Sequence, residues 1–221
     1  MTDHSRLDAV VFDLDGLIVN SEYVYDLADV ELLRRRGKVY EPTLRERMMG
    51  RPTEESLRLM IEHHALDDTP AALEIERTAL RDALLAAHIE PMPGLLDLLT
   101  ALESAAIPTA IATSGKPTYV QFVLDQLGLQ RRFRFALTAE DVARGKPHPD
   151  IYLLAAARLG LPPQRTMVLE DSANGCRAAV AAGTFTVAVP NRHTYGHAFD
   201  GVQFVADTLA DPRIRQALGL A

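Results

Sequence analysis

Two aspartates one residue apart, Asp13 and Asp15, close a short apolar run, Val10-Val11-Phe12. Held at the end of a strand, such a pair can bind a divalent cation through oxygen, or divide the roles of nucleophile and proton donor. A solvated turn accommodates the same two residues. An EF-hand loop does not: with Asp13 as its first position, Ile18 stands where glycine is required and Val24 where the bidentate glutamate belongs. A second acidic pair, Glu170-Asp171, ends another apolar run, Val168-Leu169. Adjacent carboxylates repel when ionised, so a cation or a lysine must compensate them. Thr113-Ser114-Gly115 follows Ile111-Ala112 and precedes a helical segment, offering hydroxyls and N-terminal N–H groups to an anion. Lys146 lies in Gly145-Lys146-Pro147-His148-Pro149-Asp150, a loop stiffened by two prolines. Neither a Thr-Ser-Gly turn nor one lysine is specific alone, since the first is common and the second is usually a solvated charge.

Strands are needed to hold these groups. Leu7 to Phe12 reads as a buried strand, and Gly16 supplies the turn after it. Further strand-like segments, Pro108–Thr113, Phe135–Thr138, Thr166–Glu170 and Thr184–Val189, alternate with helical Leu95–Ala106, Thr118–Leu127, Asp150–Leu159 and Ala173–Ala182. Gly128, Gly160 with Pro162-Pro163, and Gly183 punctuate them. This alternation predicts an α/β fold with a doubly wound, Rossmann-like, mostly parallel sheet. Ligands of such sheets lie beyond the carboxyl ends of the strands, where all four chemical segments fall. Residues 21–89 break the rhythm. They read as helical throughout, with apolar residues at helical spacing (Leu57, Met60, Ile61; Ala72, Leu73, Ile75, Leu80, Leu84) and helix starts at Pro42-Thr43, Pro52-Thr53 and Thr69-Pro70. The expected organisation is a core of residues 1–20 and 90–221 with a small all-α domain, 21–89, inserted in it. The insert returns through Glu90-Pro91-Met92-Pro93-Gly94. Leaving directly after the acidic strand end, it is expected to act as a lid.

Bulk properties exclude several classes. With 221 residues, 48% hydrophobic and 24% charged, the chain is an ordinary globular protein. A formal charge of −7 and no basic block beyond Arg34-Arg35-Arg36 argue against nucleic acid as a partner. Those arginines are expected on a solvated face near a helix end. The single cysteine, Cys176, forms no internal disulfide and suits a reducing cytoplasm, where it reads as a small core residue. Met1-Thr2-Asp3-His4-Ser5-Arg6 shows no apolar signal region, and no membrane span is expected. His63-His64, His88, His193 and His197 lack ligand spacing with neighbouring acids and read as surface or packing residues.

Taken together, the four segments resemble the haloacid dehalogenase superfamily. Asp13-Leu14-Asp15-Gly16 is similar to its first motif, Thr113 to its second, Lys146 to its third and Glu170-Asp171 to its fourth, in order over nearly the whole chain. The helical insert resembles the family's small α-helical cap, the mark of the branch of sugar-phosphate phosphatases and β-phosphoglucomutases. The resemblance implies that Asp13 attacks phosphorus, forming an aspartyl-phosphate, and that Asp15 is the general acid and then the base. It implies Mg²⁺ held by Asp13, the Asp15 backbone carbonyl and Asp171, with Glu170 close by. It implies too that Lys146, Thr113 and the Ser114 N–H bind the phosphoryl group. A small phosphomonoester is then the partner, and a monomer the expected state. Asp15 argues against dehalogenation, because a leaving halide needs no acid.

The pattern departs at two places. Mutases of the family carry a histidine shortly after the first motif, where this chain has Tyr25, and an arginine in the cap. A gapless match over Met49-Gly50-Arg51-Pro52-Thr53-Glu54-Glu55-Ser56 puts Thr53 at that arginine, with Arg51 two residues away. Both departures favour a phosphatase over a mutase and leave Arg51 and Tyr25 as the cap's candidate substrate contacts. Lys116 reads as a solvated charge. A non-catalytic phosphosugar-binding module is a third reading, and its signature would be loss of Asp13, Asp15, Lys146 or Asp171. None is lost.

Overall fold

The computed structural model describes residues 6–48, 51 and 53–220, without the Glu22 side chain. Met49, Gly50 and Pro52 of the stretch aligned above, and Met1 to Ser5, lie outside the described residues. The chain divides into two compact units, Met1–Asn20 with Glu90–Ala221, and Ser21–Ile89.

The first unit is built on a parallel sheet whose strands, in chain order, are β1 (Ala9–Phe12), β2 (Thr109–Ala112), β3 (Ala136–Leu137), β4 (Thr166–Glu170), β5 (Phe185–Ala188) and β6 (Phe204–Val205). Their order across the sheet is β3-β2-β1-β4-β5-β6. β1 is therefore central, paired with β2 on one side (Phe12 opposite Ile111) and β4 on the other (Phe12 opposite Leu169). The chain winds outward from β1 to β3 and then crosses to β4, so the sheet's topological switch point falls at β1. β1, β2 and β4 are buried at every position, as expected of parallel strands covered on both faces. Four helices connect or follow them: α5 (Leu95–Ser104), α6 (Pro117–Leu127), α7 (Asp150–Leu159) and α8 (Ala173–Ala181). Val11, Ala110, Ala112, Leu137 and Val168 of the sheet form one core with Ile151, Tyr152 and Ala155 of α7 and Ala178 and Ala179 of α8. Small alanines on the α8 face let that helix approach the strands closely. Cys176 lies on α8, buried, and burial pushes its thiol pKa up, so it is an inert core group.

β4 spans its expected limits and β1 ends at the expected Phe12; the other strand ends fall one or two residues inside, but the ladder continues past them. The Asp13 N–H donates to the Leu169 carbonyl at 3.0 Å and the Thr113 N–H to the Leu137 carbonyl at 3.0 Å. Two of the candidate residues are thus fixed to the sheet by their own backbones. β6 and a last helix, α9 (Pro212–Ala217), were not expected. β6 has two residues, too few to show a period; α9 has six, although Asp211 caps it and Pro212 opens it.

The inserted unit holds α1 (Ser21–Arg34), α2 (Pro42–Met48), α3 (Thr53–His64) and α4 (Pro70–His88). α4 opens as its sequence predicts, with the Thr69 side chain accepting from the Ala72 N–H at 3.2 Å and Pro70 in the first turn. The unit has its own core of Ala28, Leu32, Leu33, Leu44, Met48, Leu57, Met60, Leu73 and Leu80. Ile75, placed by spacing on the apolar stripe, is 75% exposed instead. The arginine run also departs from expectation. Arg34 ends α1 in solvent, but Arg36 is mostly buried and paired with Asp68 at 2.7 Å and Glu76 at 2.8 Å, tying the end of α1 to α4. Among the described residues no helix is long and apolar enough to cross a membrane.

One ion pair lies deep in this unit. Asp29 is 2% exposed, and the Arg77 guanidinium donates to its Oδ2 at 2.7 Å. Burial raises the Asp29 pKa to about 6, against the pull of Arg77. Removing one partner of a buried pair strands the other charge. Arg77→Met is therefore expected to destabilise the protein by about 3–5 kcal/mol in urea denaturation. Adding Asp29→Asn to it should restore part of that loss; a double variant no better than the single would refute the electrostatic account.

Candidate active site

At the carboxyl end of the sheet, Asp13 follows β1, Glu170 ends β4, and Asp171 follows it. One oxygen from each lies within 4.8 Å of the others, and all three residues are buried. The Lys146 ammonium sits among them, 2.5 Å from Asp13 Oδ1, 2.6 Å from Glu170 Oε1 and 2.9 Å from the Ala112 carbonyl at the end of β2. Its three N–H bonds are thus directed at three adjacent strands. Burial alone would lower the Lys146 pKa, but the Asp13 and Glu170 carboxylates outweigh it and hold the pKa well above its ordinary value. Lys146 is a buried cation, and the solvated reading of it is excluded.

Glu170 is wholly committed to protein donors. Its Oε1 also accepts from the Tyr152 hydroxyl at 2.9 Å, and its Oε2 from the Ser172 N–H at 2.9 Å and the Ser172 hydroxyl at 3.0 Å. The Ser172 hydroxyl in turn accepts from the Gly175 N–H at 3.1 Å, capping α8. A methyl group on Gly175 would overlap the Glu170 carboxylate, so this position needs glycine within a helix. Asp171 accepts from Asn191 Nδ2 at 2.8 Å, and the same amide donates to the Gly16 carbonyl at 3.2 Å, joining the turn after β1 to the end of β4.

Three carboxylates and one ammonium share this buried site: Lys146 pairs with Asp13 and Glu170, and Asp171 lies beside those two carboxylates. Burial, opposed by Lys146 and assisted by Glu170 and Asp15, pushes the Asp13 pKa up to about 8. Burial is the largest cause of that elevation, the neighbouring carboxylates add to it, and a bound cation would lower it. The donors are all oxygen, and Asp13 and Asp171 are the two carboxylates with capacity beyond the internal network of Glu170. The cluster can hold a metal ion.

The remaining candidates are placed as follows. The Asp15 carboxylate accepts from the Tyr119 hydroxyl, on α6, at 2.6 Å. Thr113 is buried at the end of β2, with its hydroxyl accepting from the Gly115 N–H at 3.0 Å; Ser114 is exposed beside it. Lys116 is exposed at the start of α6. Arg51 and Tyr25 belong to the inserted unit. Arg51 pairs with Glu55 and donates to the Arg47 carbonyl at 2.7 Å. The Tyr25 hydroxyl accepts from Arg81 at 3.0 Å, and its ring lies 5.3 Å from the Arg77 guanidinium and 5.5 Å from that of Arg81.

Tyr119, Tyr152, Ser172 and Asn191 were missed in the sequence. Ser172 carried a readable signal, a helix-capping residue directly after the acidic pair. Asn191 carried another, a polar residue just beyond the fifth strand. The two tyrosines carried none, since a tyrosine on a helix face reads as core until its hydroxyl partner is known.

Comparison with known proteins agrees with this geometry. Residues 7–183 match the family described as haloacid dehalogenase-like hydrolase. Hexitol phosphatase A of Escherichia coli is 37% identical over 83% of this chain and 83% of its own length. Fructose-1-phosphate phosphatase YqaB of the same organism is 32% identical over 84% of this chain and 98% of its own. A haloacid dehalogenase family hydrolase from Deinococcus radiodurans, solved with bound phosphate and sodium, superposes with a TM-score of 0.82 at 28% identity, covering 98% of this chain and 99% of that one. The chain belongs to the haloacid dehalogenase-like hydrolases. Within them it is a phosphoric monoester hydrolase, as its phosphatase relatives are.

The Gly175 contact gives a test of the cluster's rigidity. Gly175→Ala must push the Glu170 carboxylate off Ser172 or Lys146, an overpacking that costs about 1–3 kcal/mol. Stability and turnover should fall together, whereas Gly128→Ala, at a helix end with open space around it, should spare turnover. Unchanged kcat in Gly175→Ala would show that Glu170 has no hold on the reacting groups.

Proposed function

We propose that this protein is a Mg²⁺-dependent phosphatase of small phosphomonoesters, sugar phosphates foremost, acting through an aspartyl-phosphate on Asp13. The observation that carries the reading is the buried cluster of Asp13, Glu170 and Asp171 around Lys146, with Asp15 held nearby by Tyr119. An oxygen-only donor set fits Mg²⁺, held by Asp13 and Asp171 with the Asp15 backbone carbonyl that the family resemblance implies. When bound, Mg²⁺ supplies positive charge against the phosphoryl oxygens.

The chain's own residues then carry the chemistry. Asp13 attacks phosphorus in line, and the ester bond to the leaving oxygen breaks as the carboxylate–phosphorus bond forms. Asp15 gives its proton to that leaving alkoxide and takes one from the water that hydrolyses the acyl-phosphate. The Tyr119 hydroxyl holds the Asp15 carboxylate in one orientation between the two half-reactions. Lys146 keeps Asp13 aligned in the free enzyme and offsets phosphoryl charge, and Thr113 with the Ser114 N–H receives a phosphoryl oxygen. Substrate choice is assigned to the inserted unit, with Arg51 and Tyr25 as its candidates, because the core groups address only the phosphoryl end. The lone buried thiol supports action in the cytoplasm.

Asp13→Asn should abolish phosphate release from a hexose phosphate while leaving the unfolding midpoint within a few degrees of wild type; activity of more than a few per cent would remove Asp13 from the nucleophile role. Asp15→Asn should slow sugar-phosphate hydrolysis far more than hydrolysis of an activated aryl phosphate, whose leaving group needs little acid. Equal losses on both esters would count against the acid–base assignment. Chelation should remove activity and Mg²⁺ restore it, and full turnover in excess chelator would defeat the metal assignment.

A further inference from the structure

The inserted unit carries a second cluster that the phosphatase reading leaves unused. Glu41, at the start of α2, and the adjacent His63 and His64, at the end of α3, each offer one ligand atom, and these atoms lie within 4.8 Å of one another. His63 Nε2 and His64 Nε2 are each 3.4 Å from the same oxygen, Glu41 Oε2. That separation is beyond the ordinary range of an N–H···O hydrogen bond. It does match the ligand–ligand edge of a tetrahedral site, about 3.3 Å for metal–ligand bonds of about 2.0–2.1 Å.

Two further features point to a ligand. His64 is only 7% exposed at its side chain, and its Nε2 is buried with no hydrogen-bond partner, as is Glu41 Oε2, the atom it faces. The sequence reads His63 and His64 as surface or packing residues; Glu41, 22 residues from the nearer of them, joins them only when α2 packs on α3.

We propose that Glu41 Oε2, His63 Nε2 and His64 Nε2 form a metal site that takes Zn²⁺ or a similar transition-metal ion, clasping the start of α2 to the end of α3. Two imidazoles and one carboxylate select a borderline metal over Mg²⁺, and three protein ligands leave a fourth position for water. The site is independent of the phosphatase reading. Two cations oppose it: Lys38, whose charge bears on His64, and the exposed Arg47, whose guanidinium lies 3.5 Å from His63 Nδ1.

The test uses the untagged, metal-stripped full-length protein, titrated with Co²⁺ and then Zn²⁺. Asp171→Ala serves as the background in which the core cluster is disabled. One equivalent of Co²⁺ should give the intense visible absorption of a tetrahedral site, persisting in Asp171→Ala, lost in Glu41→Gln and His63→Gln, and displaced by Zn²⁺. Arg47→Met should tighten binding. At Zn²⁺ a hundred times its Kd, the unfolding equilibrium constant should fall about 100-fold in wild type and not in Glu41→Gln. His63 is the more exposed of the two histidines, so its variant keeps the test open where His64→Gln does not fold. A weak, octahedral spectrum, binding abolished by Asp171→Ala, or binding unaltered by Glu41→Gln would each overturn the proposal.

Discussion

The ammonium of Lys146 is the constraint around which the core is organised. It is withdrawn from water and has three hydrogens, and each meets an acceptor on a different strand end: Asp13 after β1, the Ala112 carbonyl of β2 and Glu170 of β4. A buried charge with one partner missing costs several kcal/mol, so this triad fixes all three strand ends together. Only a sheet with β1 between β2 and β4 offers acceptors to one ammonium in this way, and that is the order observed. The loop holding Lys146 follows β3, beyond β2, and leads into α7, whose crossing to β4 carries the lysine back over the centre of the sheet.

Glu170 passes the constraint outward. Both of its oxygens are occupied, by Lys146 and Tyr152 on one side and by Ser172 on the other, so the carboxylate is an internal strut. Tyr152 is anchored in the core of α7 and Ser172 is the cap of α8, which couples the position of two helices to the position of one charge. Gly175 completes the fit by withholding a side chain where the carboxylate lies. Asp13 and Asp171 lie beside this strut, and burial is the main cause that raises the Asp13 pKa, against the pull of Lys146.

Much of this was legible because the reacting groups sit at strand ends, and strand ends are where apolar runs stop. Asp13, Asp15, Thr113, Glu170 and Asp171 all followed from that rule, and the parallel α/β fold from the alternation of short strands and helices. Lys146 was legible only by resemblance, since nothing local distinguishes a lysine that will be buried from one that will not. Tyr119 and Tyr152 were hidden for a related reason: their rings satisfy the helical pattern of a core, and only the tertiary fold reveals what the hydroxyl meets. The end of the arginine run failed in the opposite sense. Arg36 read as a solvated charge because its partners, Asp68 and Glu76, are separated from it by many residues, and sequence patterns report on neighbours.

The insertion itself rests on a local device in the first unit. The outgoing chain at Ile18 to Asn20 and the returning chain at Glu90 to Met92 run beside each other, with the Asn20 N–H donating to the Glu90 carbonyl at 3.1 Å and the Met92 N–H to the Ile18 carbonyl at 2.9 Å. The Asn20 side chain closes the pair by accepting from the Glu90 N–H at 2.8 Å. With entry and exit pinned together, a helical unit of its own core can be added after β1 without disturbing the strand, as insertions between adjacent chain ends generally can. The first of those chains is also the one that carries Asp15, whose backbone bridges to Val19. Asp15 and the point of departure of the inserted unit are therefore parts of one short, internally bonded turn. The turn that presents Asp15, closed by the Gly16 N–H on the Val19 carbonyl, runs directly into the hydrogen bonds that pin the insertion.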